Sequence, residues 1–304
     1  MIYREMPAIW DAAFRQRFYE RWGHESAVIS AQCRRVEYPQ YTQLLSIKTV
    51  SGGTEDYFVD GRRIAVEDDT YLVLNANRTY GSRIESMRPV HSFSIFFEQG
   101  MAEDVRRNLE EPTESLLEAP VRGADTRRLE FDEHLREQDN LVTPVVRHIR
   151  NIVESGQGSE SWLEEQLRFL LGRMVRAERR QRRRLELIPG RPALRRELQR
   201  RLGLALTFVH THYREPIGLV AMARAARLSP CHLLRTFKAY YGVTPSAYLT
   251  RKRLDTAARL IATTPSTMTE IAEQVGFGDR STLFRQMRAQ HGVSPAELRT
   301  RDRP

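Results

Sequence analysis

Two stretches of the sequence decide its fold. Residues 228–245 read LSPCHLLRTFKAYYGVTP, and residues 278–295 read GDRSTLFRQMRAQHGVSP. Positions fifty residues apart carry the same or similar side chains, which pair Leu233 with Leu283, Arg235 with Arg285, Lys238 with Arg288, Ala239 with Ala289, Gly242 with Gly292, Val243 with Val293 and Pro245 with Pro295. A repeat this regular indicates one structural unit that is used twice.

Each copy is predicted to be a helix-turn-helix unit, with a short helix, a tight turn and a second helix. Residues that favour helix starts stand at the expected places, namely Ser229 with Pro230, Thr244 with Pro245, Thr267 with Glu270, and Asp279. The second helix of such a unit has the size to enter the major groove of DNA. The alternative is that both copies are helical hairpins that serve only as scaffold.

Positive charge is concentrated in the C-terminal third of the chain. The whole sequence has 48 Lys+Arg and 39 Asp+Glu residues, for a net charge of +9. From Arg191 onward, 20 basic minus 8 acidic residues give +12, which leaves 28 minus 31, or −3, before that point. A basic segment joined to a near-neutral one is typical of a nucleic-acid binder with a separate sensing or assembly domain. This distribution disfavours the scaffold alternative.

Composition excludes several other classes of protein. Of the 304 residues, 40% are hydrophobic, which is enough to build packed cores, so wholesale disorder is not expected. Cys33 and Cys231 are too far apart in sequence to suggest a disulfide framework or a Cys-based zinc site, which suits a cytoplasmic location. Since no apolar run reaches about 18 residues and segment 1–11 lacks an apolar core, neither a membrane span nor a secretory signal is expected.

The region before residue 100 is predicted to form short antiparallel strands. Segments rich in β-branched and aromatic residues alternate with turn signals; they are Gln43–Val50, Glu55–Val59, Thr70–Leu74 and Val90–Phe97. The Asp60-Gly61 pair is a strong signal for a two-residue hairpin loop. Strands at this spacing predict a small sandwich or barrel.

After the strands the apolar pattern becomes helical. One apolar stripe runs from Val142 to Val153 and another from Leu163 to Met174. Ser161 and Glu164 are predicted to form a capping box at the start of the second helix. The arginine-rich end of that helix, residues 176–184, is interpreted as a solvated tail, with contacts to phosphates as the alternative.

Residues 228–245, the stretch IAEQVGFGDRS at 271–281 and the GVSP at 292–295 resemble the AraC/XylS family of bacterial transcription regulators. The resemblance covers about residues 195–300. It implies two helix-turn-helix units joined by a long helix, in a regulator that is most often an activator and acts on RNA polymerase. A looser resemblance, in the strand and turn pattern of residues 26–98, implies a cupin-like barrel that binds a small effector and helps the protein form a homodimer.

The expected fold class is therefore multidomain α+β. A cupin-like β-barrel with flanking helices, for effector sensing and dimerisation, is expected over residues 1–158. A helix and basic linker follow over 159–192, and an all-α DNA-binding domain with two helix-turn-helix units joined by a linker helix is expected over 193–304. Two departures from the family pattern matter. Arg227 stands where the first turn usually has glycine, which predicts a less tight turn, and Phe284 with Met287 makes the base preference of the second unit hard to transfer.

Side chains near the start of each second helix, and off its apolar stripe, can reach base edges. The resemblance places base contacts at the same positions, Cys231, His232, Leu234 and Arg235 in the first unit and Arg280, Ser281, Phe284 and Arg285 in the second. Arg235 and Arg285 are the strongest candidates because a guanidinium donates two parallel hydrogen bonds to guanine. The alternative for each is a phosphate contact or a solvated charge. Leu234 and Phe284 are candidates for thymine methyl contacts, with plain packing as the alternative.

Four further cationic residues, Lys238, Arg251, Arg253 and Arg288, are predicted to contact phosphates, which position a protein on DNA without reading sequence. The expected partners are double-stranded DNA, RNA polymerase, a small effector and a second copy of the chain.

The sequence does not identify the effector. Candidates for its pocket are Tyr57, Arg78, Tyr80 and His91, with ordinary core or rim roles as the alternative. No cofactor or metal is predicted, because His24 and His91 do not make the histidine cluster that a catalytic cupin needs. Two alternatives to effector control remain. In the first, a protein partner controls the N-terminal domain, and in the second, that domain is an enzymatic cupin tethered to DNA.

Overall fold

The computed structural model describes residues 1–8, 11–118, 129–186, 188 and 190–291. The chain divides into two compact units, Met1–Arg184 and Leu185–Pro304. The boundary falls inside segment 159–192, which the sequence assigns to a helix and linker. The repeat positions Gly292, Val293 and Pro295 lie outside the described residues.

The N-terminal unit is built, within the described residues, on a sheet of eight strands. They are β1 (Ile2–Tyr3), β2 (Ala27–Gln43), β3 (Ser46–Ser51), β4 (Glu55–Val59), β5 (Arg62–Val66), β6 (Thr70–Leu74), β7 (Arg78–Phe96) and β8 (Leu135–Glu137). The hydrogen-bonded order is β1-β2-β7-β3-β6-β8, while β4 pairs with both β5 and β7. Strands β1 and β2 run parallel, and the other pairs run antiparallel.

The hairpin between β4 and β5 confirms the prediction at Asp60-Gly61. Val59 pairs with Arg62, so the loop contains two residues. Both have positive φ, 50° at Asp60 and 70° at Gly61, as a type I′ turn requires. Aspartate tolerates this conformation and glycine has no Cβ to oppose it, so the local sequence is enough to specify the turn.

Strands β2 and β7 are much longer than the sequence predicts. The predicted segment Val90–Phe97 covers less than half of β7, and Gln43–Val50 joins the last residue of β2 to β3. Register shifts interrupt the β2–β7 ladder at two places, one of them between Tyr38 and Tyr41. Such bulges break the alternation from which strands are predicted. A Cβ at Gly81 would lie 2.7 Å from the Tyr38 carbonyl oxygen, so this bulge requires the glycine that faces it.

The sheet curls around an apolar core. One cluster of packed side chains contains members from seven strands, among them Val36, Val50, Tyr57, Ile64, Leu72, Ile84 and Leu135. Strands far apart in the pairing order share this cluster, which a flat sheet does not allow. Among the described residues no pairing joins β1 to β8. The structure thus shows a sheet domain with an enclosed core, and it does not confirm a closed cupin barrel.

The described part of this unit contains five helices. They are α1 (Ala12–Arg21), α2 (Met101–Glu110), α3 (Thr113–Glu118), α4 (Thr143–Ser155) and α5 (Glu160–Leu185). The predicted stripes of α4 and α5 are buried, and Ile149 and Leu167 pack in one core with Ile47 of β3. The prediction that Ser161 caps α5 is wrong. The helix begins at Glu160, and the Ser159 hydroxyl accepts the Trp162 amide at 3.2 Å, so Ser159 caps the helix two residues earlier while Trp162 packs against the core.

The C-terminal unit consists, in its described part, of six helices: α6 (Pro192–His212), α7 (Leu219–Ala225), α8 (Pro230–Tyr241), α9 (Pro245–Thr263), α10 (Met268–Gln274) and α11 (Arg280–His291). The predicted caps are confirmed at Ser229, Thr244, Thr267 with Glu270, and Asp279. Leu233 and Phe237 of α8 are buried in one apolar cluster, and Leu283 and Met287 of α11 are buried in a second.

The two helix-turn-helix turns have the same hydrogen bonds although their sequences differ. The amides of Arg227 and Leu228 donate to carbonyls three and five residues back, and those of Gly276 and Phe277 do the same. Arg227 has a φ of 54° and Gly276 a φ of 82°. The expectation of a less tight turn at Arg227 is therefore wrong. Arg227 adopts the left-handed conformation itself, at a cost of about 1 kcal/mol.

Two glycines allow a test of how closely the second turn is packed. Gly242 and Gly276 both have left-handed φ, 78° and 82°. A Cβ at Gly276 would lie 2.7 Å from the Arg214 carbonyl oxygen, whereas one at Gly242 would meet nothing within 4 Å. We expect Gly242→Ala to lower the unfolding free energy by about 1 kcal/mol and Gly276→Ala by about 2–4 kcal/mol. Urea denaturation followed by helical circular dichroism measures both, and equal losses would contradict the close approach.

Candidate nucleic-acid interface

Helix α8 presents the first set of predicted base readers on its solvent side. Leu233 and Phe237 are fully buried, and the exposed residues between and before them are Cys231, His232, Leu234 and Arg235. The Ser229 cap sets the start of the helix, so all four readers stand in its first two turns. Leu234 is 40% exposed, which is high for leucine, and it offers an apolar contact beside the Arg235 cation.

Helix α11 presents the second set with different chemistry. Arg280, Ser281 and Arg285 are exposed, while Phe284 is half-buried. The guanidinium carbon of Arg280 lies 4.8 Å from the centroid of the Phe284 ring, a cation–π distance. Where α8 offers an imidazole and a leucine, α11 offers a hydroxyl and an arginine held over an aromatic ring.

A fixed negative charge stands at the start of α11. The Asp279 carboxylate accepts the backbone amide and the hydroxyl of Thr282, each at 2.8 Å. These hydrogen bonds, with a smaller contribution from the cation of Arg285, hold the pKa of that carboxyl below its usual value. Ser229 does the same capping work in α8 without a charge. The two helices therefore differ in electrostatics as well as in side-chain shape.

The four predicted phosphate contacts have different surroundings. Lys238 and Arg288 are exposed, and Arg251 lies with its guanidinium carbon 4.8 Å from the Tyr248 ring centroid. Arg253 donates to the carbonyl oxygens of Tyr213 and Glu215, both at 2.7 Å, and burial lowers its pKa. Arg253 therefore ties α9 to the end of α6. Its contact with phosphate stays a prediction, as do the other site assignments.

The substitution Arg253→Lys separates the structural role of Arg253, its hydrogen bonds to carbonyl oxygens, from its predicted contact with phosphate. Lysine keeps the charge but cannot span two carbonyls as a planar guanidinium does. We expect Arg253→Lys to lower the unfolding free energy by about 1–3 kcal/mol, and Lys238→Ala to change it by less than about 0.5 kcal/mol. Thermal unfolding measures the first effect, and titration with duplex DNA measures any loss of affinity. An Arg253→Lys protein as stable as the wild type would show that the carbonyl contacts are dispensable.

Sequence analysis missed a buried polar contact that holds α9 against α6. Nε2 of His210 and the hydroxyl of Tyr248 lie 2.7 Å apart, and both residues are almost fully buried. Phe237 of α8 meets Tyr248 edge-on, with ring centroids 5.7 Å apart. This cluster positions the first reading helix. The sequence signal for this contact is that His210 stands next to Val209, a residue of the apolar stripe of α6.

The core of the N-terminal sheet contains a small polar cavity of about 40 Å³. Two predicted effector residues, Tyr57 and Tyr80, line it, with ring centroids 6.0 Å apart. Sequence analysis missed its buried polar lining, which is Gln43, Lys48, Glu55, Ser82, Ser92 and Ser94. The available signal is Lys48, a charged residue in the middle of the predicted strand Gln43–Val50.

Lys48 and Glu55 are buried titratable groups in this cavity, each 2% exposed. Lys48 Nζ lies 3.4 Å from the Phe96 ring centroid, and the Glu55 carboxyl accepts the Ser92 hydroxyl at 2.7 Å. Burial lowers the pKa of Lys48 and raises the pKa of Glu55, because low-polarity surroundings disfavour both charged forms. The cavity lining thus contains both a buried amine and a buried carboxyl.

The other two effector candidates lie outside this cavity lining. The Arg78 guanidinium contacts the carboxylates of Asp60 and Glu133, the latter at 2.8 Å. His91 lies 3.0 Å from the Ser30 hydroxyl and 3.2 Å from the Glu154 carboxylate. The structure therefore brings together two of the four candidates, Tyr57 and Tyr80.

Comparison with known proteins identifies the C-terminal unit. Residues 222–301 match the model of a helix-turn-helix domain family. The transcriptional activator RhaS of Enterobacter sp. (strain 638) is 36% identical over 102 residues, which are 33% of this chain and 36% of RhaS. The C-terminal unit is an AraC-type helix-turn-helix domain.

A second relative matches this chain over a similar length. The probable transcriptional regulator LumQ of Photobacterium leiognathi is 31% identical over 97 residues, which are 31% of this chain and 39% of LumQ. The chain thus spans less than two fifths of these relatives. A crystal structure of ToxT from Vibrio cholerae strain SCE256, bound to an unsaturated fatty acid, is 12% identical with a TM-score of 0.35, and the match covers 91% of this chain and 95% of ToxT. In the part of the chain that the structure describes, no helix has the length and apolar character to cross a bilayer.

Proposed function

We propose that the protein is a sequence-specific DNA-binding transcription regulator and that it activates transcription. The observation that carries this proposal is the pair of capped helices α8 and α11 in the AraC-type domain, whose exposed faces hold the predicted base readers. The +12 charge from Arg191 onward, 20 basic minus 8 acidic residues, supplies attraction to phosphates. The activator name of RhaS supports the sign of regulation.

A single chain reads two DNA elements about one turn apart. Helix α9 has 19 residues, or about 28 Å at 1.5 Å per residue, and it separates the two helix-turn-helix units. Successive major grooves on one face of DNA recur about every 34–36 Å. The two elements differ in sequence because His232 and Leu234 in α8 correspond to Thr282 and Phe284 in α11.

Selection of binding sites from a randomised duplex library, with the intact chain, tests the assignment of base readers. We expect Arg235→Ala and Arg285→Ala each to weaken specific binding by about 1–3 kcal/mol and to relax the preference at one base pair. Each variant relaxes a position in a different element. Lys238→Ala weakens all sequences alike, because phosphate contacts carry no sequence information.

Arg88→Ala serves as the control, since Arg88 is an exposed arginine of the N-terminal sheet, and its base profile and affinity match the wild type. An Arg235→Ala protein with weakened binding and an unchanged base profile would assign that residue to a phosphate. Wild-type protein that selects no motif would overturn the proposed function.

The spacing of the two elements gives a separate prediction. Inserting about 5 base pairs between them turns one groove to the far side of the duplex. We expect this insertion to reduce the affinity of the intact chain for a single site to that of the better element alone. An insertion of about 10 base pairs has the same effect, because it places the two grooves about two turns apart, which is farther than α9 reaches. The measurement is a titration with each duplex. Full affinity after the half-turn insertion would show that only one unit reads DNA.

The N-terminal unit is proposed to sense a small effector in the cavity lined by Tyr57 and Tyr80, and to pair with a second copy of the chain. The unpartnered Gln43 Oε1, buried at the cavity wall, supports a polar ligand, since buried amide oxygens normally accept a hydrogen bond. RNA polymerase is the proposed target of activation, in the cytoplasm, and no catalytic activity is proposed.

Control by a protein partner is the second candidate. A cavity of about 40 Å³ has room for only about one to three water molecules, so an effector must widen it. Native mass spectrometry of protein isolated from its own cells distinguishes the two. A bound small molecule that is lost in a Tyr57→Leu, Glu55→Gln protein supports the effector, whereas a stoichiometric protein complex without a small molecule supports the partner.

A further inference from the structure

A second and larger cleft lies outside the core of the N-terminal sheet, and nothing in the proposed DNA reading uses it. Its volume is about 180 Å³. It opens where the first two turns of α4 cross the end of β3 and the start of β6. Its charged lining residues are Arg147, Arg150 and Asp68. Space of this size holds about 6 to 12 water molecules at 15–30 Å³ each, which is the room needed by a small organic molecule.

One wall of the cleft is apolar. Val142, which directly precedes α4, Val146 of α4 and Tyr71 of β6 line the cleft and belong to the core between sheet and helices. The Tyr71 hydroxyl donates to the Asp139 carboxylate at 2.7 Å, so its polar end is already satisfied. This wall fits a hydrocarbon group better than an ion or a sugar.

Two guanidinium groups stand beside this wall. Arg147 and Arg150 are three residues apart on α4 and so share one face of the helix. Arg147 donates to the Gln138 amide oxygen at 3.3 Å. Arg150 donates to the Ser51 hydroxyl at 3.4 Å, and its distance to the Glu154 carboxylate is 3.8 Å.

These contacts are long compared with those of other arginines in the same unit. Arg136 and Glu178 form a buried ion pair at 2.8 Å, and Arg78 has a carboxylate at the same distance. Asp68, the acidic residue of the lining, accepts the Gly52 amide at 2.8 Å. Two arginines minus one aspartate leave the cleft with a net charge of +1.

We propose that this cleft binds a small organic carboxylate with a short apolar body. The carboxylate lies on the guanidiniums of Arg147 and Arg150, where charge-assisted hydrogen bonds replace the long contacts to Gln138 and Ser51. The hydrocarbon part lies against Val142, Val146 and Tyr71, where burial of apolar area adds to the affinity. Binding here does not require that the protein bind DNA.

Isothermal titration of the intact chain, in buffered salt and without DNA, tests the proposal with matched probes. Hexanoate and benzoate are the carboxylates, and hexanamide and benzamide are their uncharged counterparts of nearly equal shape. We expect at least one carboxylate to bind with a dissociation constant below about 1 mM, and its amide to bind at least about tenfold more weakly.

Variants locate the binding. We expect Arg147→Gln and Arg150→Gln each to weaken the carboxylate by about tenfold or more, and Arg34→Gln, an exposed arginine on β2, to leave it unchanged. Arg147 is exposed and the Arg150 side chain is 25% exposed, so unfolding midpoints of both variants stay close to that of the wild type.

Three results would overturn the proposal. The first is that neither carboxylate binds at about 10 mM. The second is that the amides bind as tightly as the acids. The third is that the Arg147→Gln, Arg150→Gln double variant binds a carboxylate with wild-type affinity, since the ligand then occupies another site such as the interior cavity. None of these results bears on sequence-specific DNA binding.

Discussion

The C-terminal unit depends on the hydrogen bonds that Arg253 donates to the backbone just beyond helix α6. The carbonyl oxygens of Tyr213 and Glu215, in the segment that follows α6, both accept hydrogen bonds from the Arg253 guanidinium. The turn of the second helix-turn-helix unit approaches the same backbone, because Gly276 has no Cβ to strike it. Arg253 also lies 5.9 Å from the Phe277 ring centroid in that turn. One guanidinium and one glycine therefore set the second reading helix against the scaffold of the first.

Identical residue types do different work in this unit according to what surrounds them. Arg235 and Arg285 are exposed on the solvent sides of their helices, where their donors are available to a base. Arg253 is part-buried and bonded to backbone oxygens, and sequence periodicity alone does not distinguish it from its exposed neighbours. The hydrogen-bond partner of an arginine depends on tertiary structure. The role of Arg253 becomes clear only from its contact with Tyr213, forty residues earlier in the chain.

The sequence predicts what is decided locally and fails where distant segments decide. The caps at Ser229, Thr244 and Thr267 depend on a side chain and an amide three residues away, and all three are confirmed. The two-residue loop at Asp60-Gly61 is confirmed for the same reason. Strands β2 and β7 are held by each other across bulges, and the cavity in the sheet is built by side chains from several strands, so alternation in either strand alone reveals neither. Arg227 stands where the family usually has glycine, and it adopts the left-handed conformation itself. The hydrogen bonds and packing around the turn outweigh the backbone strain of about 1 kcal/mol.

Burial of Lys48 and Glu55 lowers the stability of the N-terminal unit, and the fold does not need these two residues in its core. Removing an amine and a carboxyl from water is expensive, and apolar residues of similar volume would fill the same space at least as stably. The surrounding serines offset part of this cost, as the Ser92 hydroxyl does for Glu55, yet Gln43 Oε1 at the same wall accepts no hydrogen bond. A polar interior that weakens its own core is expected where the interior has a second use, since binding sites retain groups with perturbed pKa that stability alone would remove. The polar cavity, rather than the strand pattern, is thus the feature that supports the proposed effector site in this unit.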